Sequence, residues 1–132
     1  MNDLLGRTTL PTILALDAVT CAAMGALLVT ASSLIAALTA ISGTVLFVAG
    51  LLLLPIAIFI AIVARGTIAW TWAVPAIVGG NLLWVFLSVG LPASGLIVPN
   101  ALGWLFLMAQ AAIVALFAGL ELSSYRQSSF AA

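Results

Sequence analysis

Four long runs of apolar residues follow one another along the chain, separated by short stretches of glycine, serine, proline and charged residues. The runs cover about residues 12–32, 42–64, 70–91 and 97–122. Each run is long enough to span a bilayer, since a helix needs about 20 apolar residues to cross the hydrocarbon core. Because the connections are short, we predict one domain over residues 1–132, an all-α, up-down four-helix transmembrane bundle. Residues 34–41 are also apolar, so this connection is either a helical continuation or an interfacial segment.

The arginines predict how the bundle is oriented in the membrane. Arg7, Arg65 and Arg126 lie in the N-terminal segment, the second connection and the C-terminal segment, which share one side of a four-span protein. The other two connections carry no charge. Basic residues near the ends of spans favour the cytoplasmic side of the membrane. We therefore expect both termini to be cytoplasmic.

Composition supports a membrane protein and limits the chemistry available to it. The chain is 66% hydrophobic and 5% charged, whereas a soluble domain carries roughly a quarter charged residues. The net charge is zero and there is no basic patch, which argues against a nucleic-acid partner and leaves the lipid bilayer as the expected one. With no histidine, no lysine and a single cysteine, no catalytic constellation is visible. We predict no catalytic residue, no metal, no cofactor and no enzymatic activity.

Five polar side chains within the predicted spans are candidate binding residues. They are Asp17 and Thr20 in the first span, Asn81 in the third, and Gln110 and Glu121 in the fourth. At about 1.5 Å of rise per residue, Asn81 and Gln110 both fall near the membrane midplane. Since they lie on antiparallel helices, we expect them to hydrogen-bond to each other. Asp17 and Glu121 lie nearer the cytoplasmic side, where they would form a paired-carboxylate site if they met.

Each of these residues has a structural interpretation beside the functional one. Asn81 and Gln110 either clamp the third and fourth helices together or line a substrate path. Asp17 either caps a helix N-terminus or pairs with Arg7 or Arg65, or it is a proton or ligand site.

Four segments occur in order from about residue 12 to residue 122 and together carry a family resemblance. They read LALDAVTCAAMGALLV, LLLLPIAIFIAIVAR, GGNLLWVFLSVG and ALGWLFLMAQAAIVALFAGLE. With their LDA opening, the proline in span two, the GN-LW segment and the late Gln followed by Glu, they resemble a family of uncharacterised small bacterial four-span integral membrane proteins. The resemblance implies a multi-pass protein of the cell inner membrane, and it implies no activity.

Three classes of function are compatible with these features. The leading hypothesis is a non-enzymatic accessory or self-associating protein, acting as a homo-oligomer or within a larger membrane-protein complex, because the connections are short and the helices carry small-residue faces. The alternative is a small transporter or channel that uses Asp17 with Asn81 and Gln110, since polar residues inside spans are functional candidates by default. A membrane enzyme or cofactor binder ranks last because acid–base groups are scarce.

Overall fold

The computed structural model describes residues 2–131, and it describes side chains for residues 9–127. The helices are α1 (Asn2–Thr39), α2 (Gly43–Ala64), α3 (Trp70–Ala93) and α4 (Ala101–Ala131). Each contains a stretch long and apolar enough to cross a membrane: Thr9–Thr39, Gly43–Ala64, Trp70–Ala93 and Ala101–Gln127. The predicted all-α four-helix fold of a multi-pass membrane protein is confirmed. The apolar residues after the first run are also helical as far as Thr39, but a kink at Ala31, whose φ of −119° and ψ of 20° are not helical, separates them from the rest of α1.

The four helices do not close into a complete ring. Helix α1 packs along α2 on one side and along α4 on the other, and α4 also packs along α3. By contrast, α2 and α3 touch only slightly although they follow each other in the chain. The backbones of α2 and α3 therefore stand apart over most of their length, and their side chains meet near the connection, where the rings of Phe59 and Trp72 lie 6.0 Å apart.

Two glycines allow α1 and α2 to pack closely. A Cβ atom built on Gly50 would lie 2.8 Å from the Cβ of Leu28 and 2.9 Å from the carbonyl oxygen of Gly25. A Cβ atom on Gly25 would in turn lie 3.1 Å from the carbonyl oxygen of Gly50. Small residues at helix crossings in membranes permit such contact between backbones. The approach of these two helices therefore depends on both glycines.

Asn100 joins the end of α1 to the beginning of α4. Its side-chain amide donates to the carbonyl oxygen of Leu38 at 2.9 Å. Its backbone N–H donates to the carbonyl oxygen of Thr39 at 3.0 Å. Its Oδ1 accepts a hydrogen bond from the backbone N–H of Gly103 at 2.8 Å, as an N-cap residue does. One side chain therefore caps α4 and holds it against α1.

The opposite end of the bundle brings α4 beside the connection between α2 and α3. The Tyr125 hydroxyl donates to the carbonyl oxygen of Thr71 at 3.4 Å. This carbonyl lacks its usual intrahelical partner because the residue four positions later is Pro75, which has no N–H. Arg65 and Arg126, both exposed, consequently lie at the same end of the bundle.

Large apolar side chains cover much of the outer surface. Val19 is 65% exposed, Phe86 is 70% exposed and Leu105 is 65% exposed, on three different helices. Apolar area of this extent is unfavourable in water but is solvated by the hydrocarbon of a bilayer. Several polar side chains of the spans, among them Asp17, Asn81, Ser88 and Glu121, are buried inside the bundle, where they belong to the clusters described next.

Candidate functional site

A cluster of polar side chains joins α1, α3 and α4 in the interior of the bundle. The Nδ2 group of Asn81 donates one hydrogen bond to Oδ2 of Asp17 at 3.0 Å and another to Oε1 of Glu121 at 2.8 Å. Oδ1 of Asp17 accepts a hydrogen bond from the Cys21 thiol, with an S···O distance of 3.5 Å. We call Asp17, Cys21, Asn81 and Glu121 the acidic cluster.

The acidic cluster lies deeper in the membrane than the sequence predicts for Asp17. Asn81 stands in the middle of the 24-residue α3, which puts it roughly 17 Å from either end of that helix. Asp17 bonds directly to it and therefore shares its depth. The capping interpretation of Asp17 is wrong, because α1 begins at Asn2 and Asp17 lies several turns inside the helix.

The two carboxyl groups of the cluster are almost completely buried and have no basic partner among the described side chains. Asp17 is 2% exposed and Glu121 is 0% exposed. Arg65 is exposed at the end of the bundle and does not pair with Asp17, so that predicted ion pair is wrong; the side chain of Arg7 lies outside the described residues. Within residues 9–127, Oε2 of Glu121 is a buried oxygen with no hydrogen-bond partner.

The geometry of the cluster suits a bound proton or a monovalent cation. Both carboxyl groups accept from the same amide nitrogen, so the two accepting oxygens lie within about 6 Å of each other. Two full negative charges at that distance repel by about 3 kcal/mol at an effective dielectric constant of 20. A single positive charge removes this repulsion. No group of three or more Cys, Asp or Glu side chains in the described part of the chain is placed to hold a metal ion.

A second polar cluster joins α3 and α4 further along the bundle. The indole Nε1 of Trp84 donates to Oε1 of Gln110 at 2.7 Å. The Nε2 group of Gln110 donates to Oγ of Ser88 at 2.7 Å and to the carbonyl oxygen of Leu107 at 3.0 Å. The Ser88 hydroxyl donates to the carbonyl oxygen of Trp84 at 2.7 Å. We call Trp84, Ser88 and Gln110 the neutral cluster.

The predicted hydrogen bond between Asn81 and Gln110 does not form, because each amide belongs to a different cluster. Helix α4 begins at Ala101, about four residues later than its span was predicted to begin. That difference moves Gln110 roughly 6 Å toward the start of α4. Gln110 therefore meets Ser88, which lies about two helical turns beyond Asn81 on α3.

Of the five predicted binding residues, the structure brings three together. Asp17, Asn81 and Glu121 form the centre of the acidic cluster, whereas Gln110 belongs to the neutral cluster. The Thr20 hydroxyl bonds to the carbonyl oxygen of Leu16 in its own helix at 2.8 Å, so Thr20 is not part of either cluster. Cys21 was not among the predicted binding residues, although its position four residues after Asp17 places both on one helix face.

A cavity of about 180 Å³ opens between α2 and α3 and reaches the acidic cluster. Its walls are apolar, and they include Leu53, Ile56 and Phe59 of α2. Cys21 and Asn81 line it as well, so a molecule in the cavity lies next to both side chains that hydrogen-bond to Asp17. We call it the α2–α3 cavity. A larger cavity of about 400 Å³ lies beside the neutral cluster and is also mostly apolar.

Comparisons with protein-family models, with curated proteins and with solved structures find no match to this chain. The family resemblance drawn from the four sequence segments therefore stays a prediction.

Proposed function

We propose that the protein is a small proton-linked cation transporter of the cell inner membrane. The observation that carries the proposal is that Asn81 bonds to both Asp17 and Glu121 in a buried cluster without a basic partner among the described side chains. Ionisable side chains within a membrane are costly and usually serve a function. The membrane location itself is supported by the four membrane-capable helices.

In the proposed cycle, the Asp17–Glu121 pair shares one proton when no cation is bound. The pair then carries a single negative charge, and the Asn81 amide stabilises it by donating to one oxygen of each carboxyl group. A monovalent cation that enters the site replaces the proton, which leaves to water on one side of the membrane. One positive charge enters as another leaves, so the charge of the site does not change. Two carboxyl groups this close together are expected to share one proton, because both cannot easily be ionised at once.

The shared proton is directly measurable because the chain has so few acidic residues. Only Asp3, Asp17 and Glu121 carry side-chain carboxyl groups. Infrared spectroscopy of the protein in lipid bilayers should show the carbonyl band of a protonated carboxyl group, and the band should be absent from Asp17→Asn and Glu121→Gln. A spectrum without that band at neutral pH would contradict the proposed resting state.

Exchange is tested in proteoliposomes that have an acidic interior and contain a pH-sensitive dye. External Na⁺, K⁺ or tetramethylammonium should make the interior more alkaline, because protons leave as cations enter. Asp17→Asn and Glu121→Gln should abolish this change. Thr30→Val is the matched control, since the Thr30 hydroxyl bonds only to the backbone of its own helix, at Ala26. Exchange that survives in both carboxyl variants, or that is absent from the wild type with all three cations, would overturn the proposal.

The proposed orientation places both termini in the cytoplasm. Its support is that Arg65 and Arg126 lie at the same end of the bundle, together with the preference of basic residues for the cytoplasmic side. Reporter fusions should report the C-terminus in the cytoplasm and residue 37 on the opposite side of the membrane. Fusions that report both positions in one compartment would contradict this orientation.

The accessory or self-associating role and the absence of enzymatic activity stay predictions from the sequence. Native mass spectrometry from mild detergent separates this role from autonomous transport. A monomer without a stoichiometric partner is expected if the acidic cluster works alone. A homo-oligomer or a constant partner protein would favour the accessory role instead.

A further inference from the structure

A gap between α2 and α3 lies beside the acidic cluster. These two helices touch only slightly, and the α2–α3 cavity of about 180 Å³ fills part of the space between them. Its apolar walls suit a hydrocarbon or aromatic group. An apolar cavity of about 150 Å³ binds benzene, so a cavity of this size admits one aromatic ring or a short branched chain.

The inner end of the cavity is lined by Cys21 and Asn81, and the carboxyl groups of the acidic cluster lie behind these two side chains. Asn81 lines the cavity and already uses Nδ2 on both carboxyl groups. Oε2 of Glu121, which is 0% exposed, still has no hydrogen-bond partner within the described residues. A protonated amine supplies a positive charge and several N–H donors, whereas a side-chain amide supplies N–H donors without a charge. An ammonium group therefore matches what the cluster lacks.

Gly80 keeps the cavity open from the α3 side. It lines the cavity, and a Cβ atom built on it would have no neighbouring atom within 4 Å. Gly79 beside it is equally free of neighbours but does not line the cavity. The neighbouring glycines thus offer one substitution that fills the cavity and one that leaves it open.

We infer that the organic cations taken by this site are protonated amines bearing one apolar group of about the size of an aromatic ring, and that they reach the acidic cluster from the lipid through the α2–α3 cavity. This inference rests on the proposed function and specifies its substrate class. The apolar group lies against the walls of the cavity, and the ammonium group lies beside Asn81, toward the two carboxyl groups.

Binding is measured directly, with radiolabelled 2-phenylethylamine and the protein in lipid nanodiscs near neutral pH. The amine should bind saturably. An excess of 2-phenylethanol, which has the same ring and chain length but no charge, should not displace it. Glu121→Gln should weaken binding at least ten-fold because it removes a negative charge from the site.

The cavity itself is tested with the two glycines. Gly80→Leu should weaken amine binding at least ten-fold by filling the cavity, whereas Gly79→Leu should bind as the wild type does. Circular dichroism and gel filtration establish that both variants are folded. If Gly80→Leu does not fold, Gly80→Ala and Gly79→Ala give the same comparison, with about a three-fold difference expected.

The outcomes separate this inference from the proposed function. No amine binding by the wild type, together with cation exchange and the infrared band of the shared proton, would overturn the inference and leave the proposed function standing. Equal weakening by the substitutions at Gly79 and Gly80 would overturn the path through the cavity. Amine binding that is unchanged in Glu121→Gln would show that the ligand does not use the acidic cluster, and would overturn the inference.

Discussion

The acidic and neutral clusters lie in the same bundle and are built alike, but they differ in hydrogen bonding. Among the described residues, the buried side-chain donors and acceptors are all paired only in the neutral cluster. Each has a side-chain amide at its centre, Asn81 in one and Gln110 in the other. In the neutral cluster, the amide oxygen of Gln110 accepts from Trp84 and its nitrogen donates to Ser88 and to a backbone carbonyl. In the acidic cluster, Asn81 meets two carboxyl groups, and one oxygen of Glu121 has no partner among the described residues.

The difference indicates what each cluster is for. A polar network whose donors and acceptors are paired holds helices together, with interhelical hydrogen bonds contributing about 0.6 kcal/mol on average. A network with two carboxyl groups and too few donors among the described residues is a poor clamp, because buried charge without a counterion costs free energy. We therefore interpret the neutral cluster as structural and the acidic cluster as the binding site.

The largest effect is expected from removing the centre of the acidic cluster. Asn81→Leu leaves both carboxyl groups buried without the amide that donates to them. We expect the free energy of unfolding to fall by about 3–6 kcal/mol, because two hydrogen bonds to the charged carboxyl pair are lost and each contributes about 1.5–3 kcal/mol. Reversible unfolding in mixed micelles measures this change. A loss below about 1 kcal/mol, the size of an ordinary interhelical hydrogen bond, would mean that the two clusters are energetically equivalent.

The amide of the neutral cluster should matter less to stability and not at all to transport. Gln110→Leu leaves Trp84 Nε1 without its acceptor and Ser88 without its donor. An unpaired buried polar group costs about 1–3 kcal/mol, so we expect a loss of unfolding free energy in that range. Cation exchange in proteoliposomes should continue. Loss of exchange in a folded Gln110→Leu protein would show that the two clusters act as one site.

The helices could be predicted from the sequence more fully than the contacts between them. The predicted spans 42–64 and 70–91 lie close to α2 (Gly43–Ala64) and α3 (Trp70–Ala93), because serine, glycine and arginine interrupt the apolar pattern at their ends. The start of α1 at Asn2 was missed, since polar and apolar residues alternate irregularly at the beginning of this helix and form no long apolar run. Apolar periodicity therefore locates the membrane part of a helix rather than the whole helix.

The composition of the acidic cluster could be predicted in part. Asp17, Asn81 and Glu121 are recognisable because polar residues are rare in apolar spans. Their meeting depends on α1 packing against α4 and on the register of α3, and neither is visible in a single sequence. An error of one helical turn displaces a side chain by about 5.4 Å, which is enough to exchange one hydrogen-bond partner for another. The mistaken pairing of Asn81 with Gln110 arose in this way.

Neutralising one carboxyl group should separate stability from function. In Glu121→Gln a single carboxyl group remains, so no proton has to be shared, and the new amide supplies N–H donors close to Asp17. We expect the free energy of unfolding to rise by about 1 kcal/mol while cation exchange is lost, as occurs when a strained functional site is relieved. Unfolding in mixed micelles and exchange in proteoliposomes measure the two quantities. A loss of more than about 2 kcal/mol would instead make Glu121 a structural residue of the same kind as Gln110.

The smallest effects are expected from the weakest donor in each cluster, and they test whether the amides or the smaller side chains hold the clusters together. The Cys21 thiol is a weak donor and lies 3.5 Å from Oδ1 of Asp17, so Cys21→Ala should change the free energy of unfolding by less than about 0.5 kcal/mol. Ser88 both accepts from Gln110 and donates to a backbone carbonyl, so Ser88→Ala should cost about 1 kcal/mol. If Cys21→Ala lowered the free energy of unfolding more than Ser88→Ala does, the thiol would be an essential hydrogen-bond partner of Asp17. The acidic cluster would then stabilise the bundle as the neutral cluster does.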